Sequence, residues 1–342
     1  MLVRALLGLT ALLTLPLALP AAAQEVTLKV QHFLPPASPA QAQFIKPWAD
    51  DLAAQSNGRI KVEIFPAMAL GGRPPQLYDQ VKDGVADVVW TLPGYTAGRF
   101  PKSEVFELPF MAASAEATAQ AAQEFYEKHL RDEFKDVHVL VMHVHAPGSF
   151  FTVSKPVMSV DDLKGMKIRA PTRVINEALK ALGATPVGMP VPELPQALSR
   201  GVVDGATIPF EVALPLKAHE MVKHVTEIPG ARGFYTSVFL YAMNKAKYDG
   251  LPADLKKVID ANSGMALARK VGRIWDAVEK PGRDAATAAK VQFHAMPPAE
   301  IAKMQTATQP VIDAWIKEMD GKGANGKMLV DDARAMIAKY AK

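Results

Sequence analysis

Short apolar runs alternate with amphipathic stretches along most of the chain, and this pattern predicts an α/β protein. Strands are predicted at 26–32, 59–65, 85–91, 137–143, 149–154, 185–187, 203–208 and 234–244, with a further strand ending at Arg169. Helices are predicted at 40–55, 74–84, 114–134, 172–182, 192–200, 252–289, 298–319 and 331–340. The strand–helix–strand order favours doubly wound, mostly parallel sheets, and Pro281 is expected to kink or split the helix at 252–289.

A second α/β pattern starts near Gly148 without a low-complexity linker before it, which predicts two lobes joined by several chain crossings. We expect the first lobe to comprise residues 24–147 and about 234–275, and the second residues 148–233 and about 276–342. The long helix after Pro252 should span the lobes, and hinges are expected near Gly148 and Gly233. Ligands of open α/β sheets bind at the carboxyl ends of the strands, so the predicted site is the cleft between the lobes.

The first 23 residues have the pattern of a secretory signal peptide. Arg4 precedes an apolar run at 5–19, and three alanines at 21–23 fit a cleavage site before Gln24. The segment is short for a spanning helix and carries prolines, so export is favoured over an uncleaved anchor. The signal predicts a periplasmic location.

The composition of the chain narrows the range of possible functions further. The chain has 342 residues, no cysteine and a formal net charge of +4, with its basic residues spread out. An exported protein without cysteine must be stabilised by its core, and the absence of a basic run argues against a nucleic-acid partner.

The sequence offers little support for catalysis or metal binding. His143 and His145 lie on one face of a predicted strand, but no carboxylate close in sequence completes a metal site, so a polar pair at a strand end is the alternative. No Gly-x-Ser-x-Gly motif and no cysteine nucleophile are present. The glycines at 71–72 lack the Lys-Ser/Thr of a phosphate loop and are typical of a turn into a helix.

Arg169 is the strongest candidate for ligand binding because a strand ends there, where a side chain reaches a crevice. Its guanidinium matches a carboxylate in two parallel hydrogen bonds. The alternative is a surface ion pair with Asp161 or Asp162. Aromatic residues also gather at strand ends and together suggest apolar cleft walls, although any one of them alone is more often a core residue than a ligand contact. They are Phe33, Trp90, Phe150, Phe151 and Phe210.

Eight short motifs occur in an order that resembles the periplasmic solute-binding proteins of TRAP transporters, the DctP-like family. They are LKVQHFLPP at 28–36, GRIKVEIFP at 58–66, LGG at 70–72, VKDGVAD at 81–87, FELPF at 106–110, DLKGMKIRAP at 162–171, LGATPV at 182–187 and ALSRGVVDG at 197–205. The resemblance covers essentially the whole chain after residue 23. It implies the two-lobed periplasmic binding protein fold and a non-enzymatic receptor that delivers an organic acid to a membrane permease.

In that family an arginine after the Lys-Gly-x-Lys-Ile motif pairs with the ligand carboxylate, and Arg169 occupies this position. Four other positions that are polar in relatives binding sugar acids are apolar here: Phe33, Leu92, Phe150 and Ile208. An apolar site suits an apolar ligand, because a site built for hydroxyl groups would bury unpaired polar groups. We therefore predict a monocarboxylate with an apolar or aromatic body.

The expected ligand-binding set is Arg169, Trp90, Phe150, Phe33, Phe210, Ile208, Leu92 and His32. A small aliphatic hydroxy or keto acid, or a dicarboxylate, is the alternative ligand, and a secreted enzyme on the same scaffold is the alternative function. No cofactor is expected, and the sequence leaves open whether a cation assists binding.

Overall fold

The computed structural model describes residues 25–341, so the predicted signal peptide lies outside the described residues. The strands are β1 (Val26–His32), β2 (Ile60–Phe65), β3 (Val88–Thr91), β4 (Val137–Val144), β5 (Ser149–Thr152), β6 (Lys167–Ala170), β7 (Thr185–Gly188), β8 (Gly205–Ile208), β9 (His224–Glu227), β10 (Val238–Asn244) and β11 (Gln292–Ala295). They form two sheets, as predicted. We call the sheet β2-β1-β3-β10-β4 with its helices the first lobe, and the sheet β11-β9-β5-β8-β6-β7 with its helices the second lobe.

Helices cover both sheets. They are α1 (Lys46–Gln55), α2 (Leu77–Lys82), α3 (Ala115–Phe125), α4 (Arg173–Ala181), α5 (Leu194–Ser199), α6 (Phe210–Ala213), α7 (Lys245–Asp249), α8 (Ala253–Ala261), α9 (Gly264–Ala277), α10 (Glu279–Ala288), α11 (Pro298–Gly321) and α12 (Gly326–Tyr340). The predicted cap of α3 is present, since the Ser114 hydroxyl accepts from the Ala117 N–H at 3.2 Å. None of the helices in residues 25–341 is long and apolar enough to cross a membrane.

Each sheet is mixed, because in each one a strand that adjoins a crossing between the lobes runs antiparallel to both of its neighbours. In the first lobe β1 pairs in parallel with β2 and β3, whereas β10 is antiparallel to β3 and β4. In the second lobe β6 is parallel to β7 and β8, and β5 is antiparallel to β8 and β9. Strands β9 and β11 were not predicted, and each has only four residues. Their sequences, HVTE and QFHA, are rich in polar residues and form no apolar run.

Two extended segments, at 145–148 and 233–237, carry the chain between the lobes and pack against each other. The Gly148 N–H donates to the Tyr235 carbonyl at 3.1 Å, and the Thr236 hydroxyl donates to the His145 carbonyl at 2.6 Å. Both predicted hinge glycines lie here. A Cβ on Gly148 would lie 2.2 Å from the Tyr235 ring, and one on Gly233 would lie 2.1 Å from Pro147. Only glycine allows this close approach.

The helix predicted at 252–289 is three helices, and one of its two breaks lies just ahead of Pro281, as predicted. The first break lies at Gly264, which has a φ of +66°, and the second at Val278, where α9 gives way to α10. Pro281 falls in the first turn of α10, where a backbone N–H has no intrahelical partner, so the proline costs no hydrogen bond. The lobes are spanned by α9 and α10 together and not by one long helix. α9 packs on α3 of the first lobe, and α10 packs on α6 of the second lobe.

The C-terminal helix differs from the expected lobe division. Residues 276–342 were assigned to the second lobe, but α12 packs on α3 of the first lobe, and Lys339 and Tyr340 bond to Glu124 of α3. The preceding helix α11 packs on α4 of the second lobe. The turn between α11 and α12 is therefore a further crossing, which helical periodicity alone cannot reveal.

Gly148→Ala and Gly233→Ala are each expected to lower the free energy of unfolding by about 1–3 kcal/mol, because the added methyl overpacks the crossing segments. Urea unfolding followed by circular dichroism measures this change. Gly321→Ala is the matched control, since no atom lies within 4 Å of the added Cβ at the end of α11. The control should be at least as stable as wild type. Wild-type stability of both crossing variants would contradict the close approach.

Candidate functional site

A cavity of about 350 Å³ lies between the lobes, where the carboxyl ends of strands in both sheets face each other. Five residues predicted for the ligand site line it: Phe33, Trp90, Leu92, Arg169 and Ile208. The others predicted, Phe150, Phe210 and His32, do not line it. Sequence reasoning missed Leu34, Tyr95, His145, Pro171, Val191, Pro209, Glu211, Val212, Tyr235, Ser237 and Phe239.

Arg169 is the polar centre of the second-lobe wall. It is 2 % exposed, and its strand β6 lies between β7 and β8. Its Nε and Nη2 donate to the Met189 carbonyl at 3.0 and 2.9 Å, and its Nη1 donates to the Thr207 carbonyl at 3.4 Å. These carbonyls belong to the ends of the neighbouring strands and fix the plane of the guanidinium. They leave part of its five N–H donors free.

No carboxylate of residues 25–341 forms an ion pair with Arg169. The alternative of a surface ion pair is wrong, since Asp161 pairs with Lys164 and Asp162 accepts from the Ser159 N–H. Burial lowers the pKa of the Arg169 guanidinium, and the nearby Tyr95 and Tyr235 side chains act in the opposite direction. The group still remains charged, because an arginine is not deprotonated in proteins. A buried cation without an anion is unfavourable, so this site is electrostatically suited to an anionic ligand.

Aromatic rings form the first-lobe wall. Trp90 is fully buried and stacks on Phe33 at a centroid distance of 4.9 Å and on Phe239 at 4.6 Å. Trp90 lies in β3 and Phe239 in the neighbouring β10, and Phe33 directly follows β1 on the other side of β3. Trp90 Nε1 donates to His143 Nε2 at 2.8 Å, which satisfies the indole inside the core. The wall therefore presents ring faces rather than polar groups to the cavity.

His145 joins this wall from the crossing segment and is held in one neutral form. Its Nδ1 lies 2.5 Å from the Ala146 carbonyl and therefore donates, and its Nε2 accepts from the Ser237 N–H at 3.0 Å. Burial lowers the pKa of His145 to about 4. Since both ring nitrogens are engaged, the His143–His145 pair has no metal-binding role here. Within residues 25–341 no group of three or more acidic or histidine side chains is arranged to hold a metal.

Glu211 is a buried carboxyl group in the cavity wall that the sequence analysis missed. It is 2 % exposed, its Oε1 accepts from Trp275 Nε1 at 3.2 Å, and its Oε2 has no partner in the described protein. Burial, with a smaller contribution from the charge of Glu279, raises the pKa of Glu211 to about 8. The available signal was a charged residue directly after the apolar strand end at 208–210.

Phe150 lies on the wrong face of its strand. The register aligns Phe151, Ala206 and Arg169 in one row across β5, β8 and β6, so Phe150 occupies the next row on the opposite face. It packs there against Phe234 at 5.6 Å. A one-residue shift in the alignment of the motif is enough to reverse the direction of a side chain on a strand.

His32 and Phe210 are also core residues. His32 Nε2 contacts Gln41 Oε1 at 2.9 Å, and the Leu34 N–H donates to its Nδ1 at 3.3 Å, so the ring organises the turn after β1. Phe210 stacks on Phe293 at 6.0 Å and meets Phe151 edge-on at 5.1 Å. Its ring thus packs beneath the second-lobe sheet edge while its neighbour Glu211 lines the cavity.

The two lobes contact each other around the cavity. The Tyr95 hydroxyl of the first lobe accepts from the Val191 N–H of the second at 3.1 Å. Arg173, the first residue of α4, bonds to Glu104 of the first lobe, and Arg73 pairs with Glu193 at 2.8 Å. The structure is therefore a closed arrangement in which both lobes shape one site.

Comparison with known proteins shows which family this chain is similar to. The family model for bacterial extracellular solute-binding protein, family 7, matches residues 30–318. A curated relative, the outer membrane transporter protein TsaT of Comamonas testosteroni, is 30% identical over 335 residues, which cover 96% of this chain and 97% of the relative. The chain is thus similar to family members over nearly its full length.

Two solved structures share the fold at high identity. One is a marine metagenome TRAP solute binding protein specific for aromatic acid ligands, in complex with 3-hydroxybenzoate, with 50% identity, a TM-score of 0.92, and coverage of 93% of this chain and 100% of that one. The other is a TRAP solute binding protein from Rhodoferax ferrireducens T118 with copurified benzoate, with 47% identity, a TM-score of 0.91, and coverage of 92% and 98%. The predicted two-lobed fold is confirmed.

Glu211→Gln is expected to gain stability relative to wild type as the pH rises. Because the pKa of Glu211 is raised from 4.5 to about 8 on folding, its stabilising contribution is complete below about pH 4.5 and is lost as the pH rises towards 8. Glutamine does not titrate, so the difference in unfolding free energy should grow in this window by about 1 kcal/mol per pH unit.

Urea unfolding of both proteins at successive pH values measures this difference. Glu63→Gln, at an exposed glutamate of β2, corrects for the loss of one carboxyl group. A difference between wild type and Glu211→Gln that stays constant with pH would show that Glu211 is ionised in the folded protein.

Proposed function

Given that the chain belongs to bacterial extracellular solute-binding protein family 7 and is a TRAP solute-binding receptor, we propose that its ligand is an aromatic monocarboxylate held by Arg169. The family settles the class: the protein is a binding component of a transporter and not an enzyme. The observation that carries the ligand assignment is a buried guanidinium without a carboxylate partner, opposite a wall of stacked rings.

The charge of the cavity supports one carboxylate rather than two. Among the described residues that line it, Arg169 is the single permanently charged cation, and His145 is neutral. A second carboxylate on the ligand would be buried without a cation, which costs several kcal/mol. A dicarboxylate therefore fits less well than a monocarboxylate.

The shape and polarity of the walls support an aromatic body. Trp90, Phe33 and Phe239 line the cavity with aromatic rings, and Leu92 and Ile208 add aliphatic side chains. Sugar hydroxyls would lose hydrogen bonds to water against these side chains. The similar proteins solved with benzoate and 3-hydroxybenzoate agree with this assignment.

Capture would proceed by closure of the lobes over the acid, with the crossing segments as hinges. The ligand favours closure only through contacts that exist in the closed form, and Arg169 in the second lobe facing the rings of the first provides them. We further propose that the closed receptor delivers the acid to a TRAP membrane permease from the periplasm, as its family implies.

Arg169→Ala is expected to weaken binding of benzoate by about 100-fold or more, because the ligand carboxylate would be buried without its cation. Isothermal titration calorimetry measures the affinity, and circular dichroism checks the fold. Arg200→Ala, at an exposed arginine of the second lobe, is the matched control and should bind as wild type does. Benzoate binding by Arg169→Ala with wild-type affinity would rule out the anchor.

Ile208→Asn restores a polar side chain to the cavity wall and is expected to weaken benzoate binding by about tenfold, since the amide loses water without gaining a partner. The same titration measures it. Val202→Asn, at a site that is 46 % exposed, introduces the same side chain outside the cavity and should leave the affinity unchanged. If Ile208→Asn instead strengthens binding of a sugar acid such as glucuronate without loss for benzoate, the apolar-wall argument is wrong.

A further inference from the structure

Two polar atoms of the cavity wall have no partner in the described protein. They are Glu211 Oε2 and Ser237 Oγ, on residues that are 2 % and 1 % exposed. Buried polar atoms are nearly always hydrogen-bonded, and an unpaired one costs about 1–3 kcal/mol. Two such atoms on residues that line one cavity are candidates for hydrogen bonds to a ligand or to water.

The surrounding structure holds Glu211 firmly in place. The Glu279 carboxylate accepts from the Phe210 and Glu211 N–H groups at 3.1 and 2.8 Å, which fixes the backbone where α6 begins. The Trp275 indole occupies Oε1 at 3.2 Å. Oε2 is the carboxyl oxygen left for another partner. The carboxyl group is therefore held in one orientation while Oε2 makes no hydrogen bond.

Ser237 is fixed in a similar way from the crossing segment. Its N–H donates to His145 Nε2 at 3.0 Å, and its hydroxyl has no partner. Arg169 does not use either group, since its hydrogen bonds go to the carbonyls of Met189 and Thr207. Two residues of the cavity wall therefore carry polar groups that Arg169 does not bind.

We propose, on the premise that the ligand is an aromatic monocarboxylate, that Glu211 and Ser237 form a subsite for a hydroxyl group on the ring of that ligand. A hydroxyl donates one hydrogen bond and accepts others, so it can satisfy a carboxyl oxygen and a serine hydroxyl together. An unsubstituted ring would leave both atoms unpaired. A site of this kind discriminates against the ligand that lacks the polar group.

The charge state of Glu211 suits a neutral substituent. Burial raises its pKa to about 8, so the carboxyl group is mainly neutral near pH 7 and can donate as well as accept. The pKa of neighbouring Glu279 is raised to about 7, first by burial, so this side chain carries part of a negative charge. A second anionic group on the ligand would meet that charge, whereas a hydroxyl would not.

Calorimetric titration of the full receptor with benzoate, the three hydroxybenzoate isomers and the three methylbenzoate isomers tests the subsite. Each methyl compound matches the hydroxyl in size without its hydrogen bonds. Wild type should bind one hydroxy isomer about tenfold more tightly than its methyl analogue, the effect of one well-placed hydrogen bond. In Glu211→Met this ratio should fall to about one, and in Glu211→Gln, which keeps a hydrogen-bonding group, most of it should remain.

Ser237→Ala should also lower the ratio of hydroxy to methyl binding. The variant is expected to fold, because the backbone hydrogen bond from residue 237 to His145 does not involve the hydroxyl. It therefore tests the subsite even if Glu211→Met does not fold. Glu63→Met, at an exposed glutamate of β2, is the matched control and should keep the wild-type ratio. An unchanged ratio in both Glu211→Met and Ser237→Ala overturns the subsite while leaving aromatic acids as ligands. If wild type binds none of these acids, the proposed ligand class itself fails.

Discussion

The rest of the site depends on the burial of one guanidinium without a carboxylate. Arg169 lies near the carboxyl end of β6 in the second sheet, and carbonyl groups at the ends of the two adjacent strands orient it. Carbonyl dipoles stabilise the cation only in part, whereas a carboxylate would cancel its charge and leave no attraction for a ligand. The protein thus keeps an unneutralised charge on a buried side chain in a largely apolar cavity. The aromatic wall of the other lobe maintains this low-dielectric environment, in which a charged pair is strengthened.

Much of this could be predicted from the sequence, because the decisive signals are local. The strand that ends at Arg169 precedes a proline and a strongly amphipathic helix, and that pattern identifies a strand end without any knowledge of the fold. Trp90 and Phe33 were likewise found from their positions at strand ends. The two-lobed organisation followed from the restart of the α/β pattern near Gly148.

What could not be predicted depends on register or on contacts distant in sequence. Phe150 was assigned to the cavity, but its neighbours across β8 and β9 place it on the other face, and a run of two phenylalanines does not reveal which one faces the site. Glu211 looks like an ordinary surface glutamate in the sequence. It contacts Trp275 and Glu279, which lie more than sixty residues away in sequence, and its burial in the folded protein raises its pKa. The position of α12 on the first lobe also rests on such distant contacts.

The orientation of Arg169 has a consequence for the empty receptor. A closed cavity without an anion would keep a bare cation away from water, so closure of the unloaded protein is opposed by the hydration energy of a single side chain. Opening returns that hydration, so the group that we propose as the anchor of the acid would also favour the open state once the acid has left. The loaded and empty proteins would then present different outlines to a downstream component, and the shape of the receptor would report its occupancy.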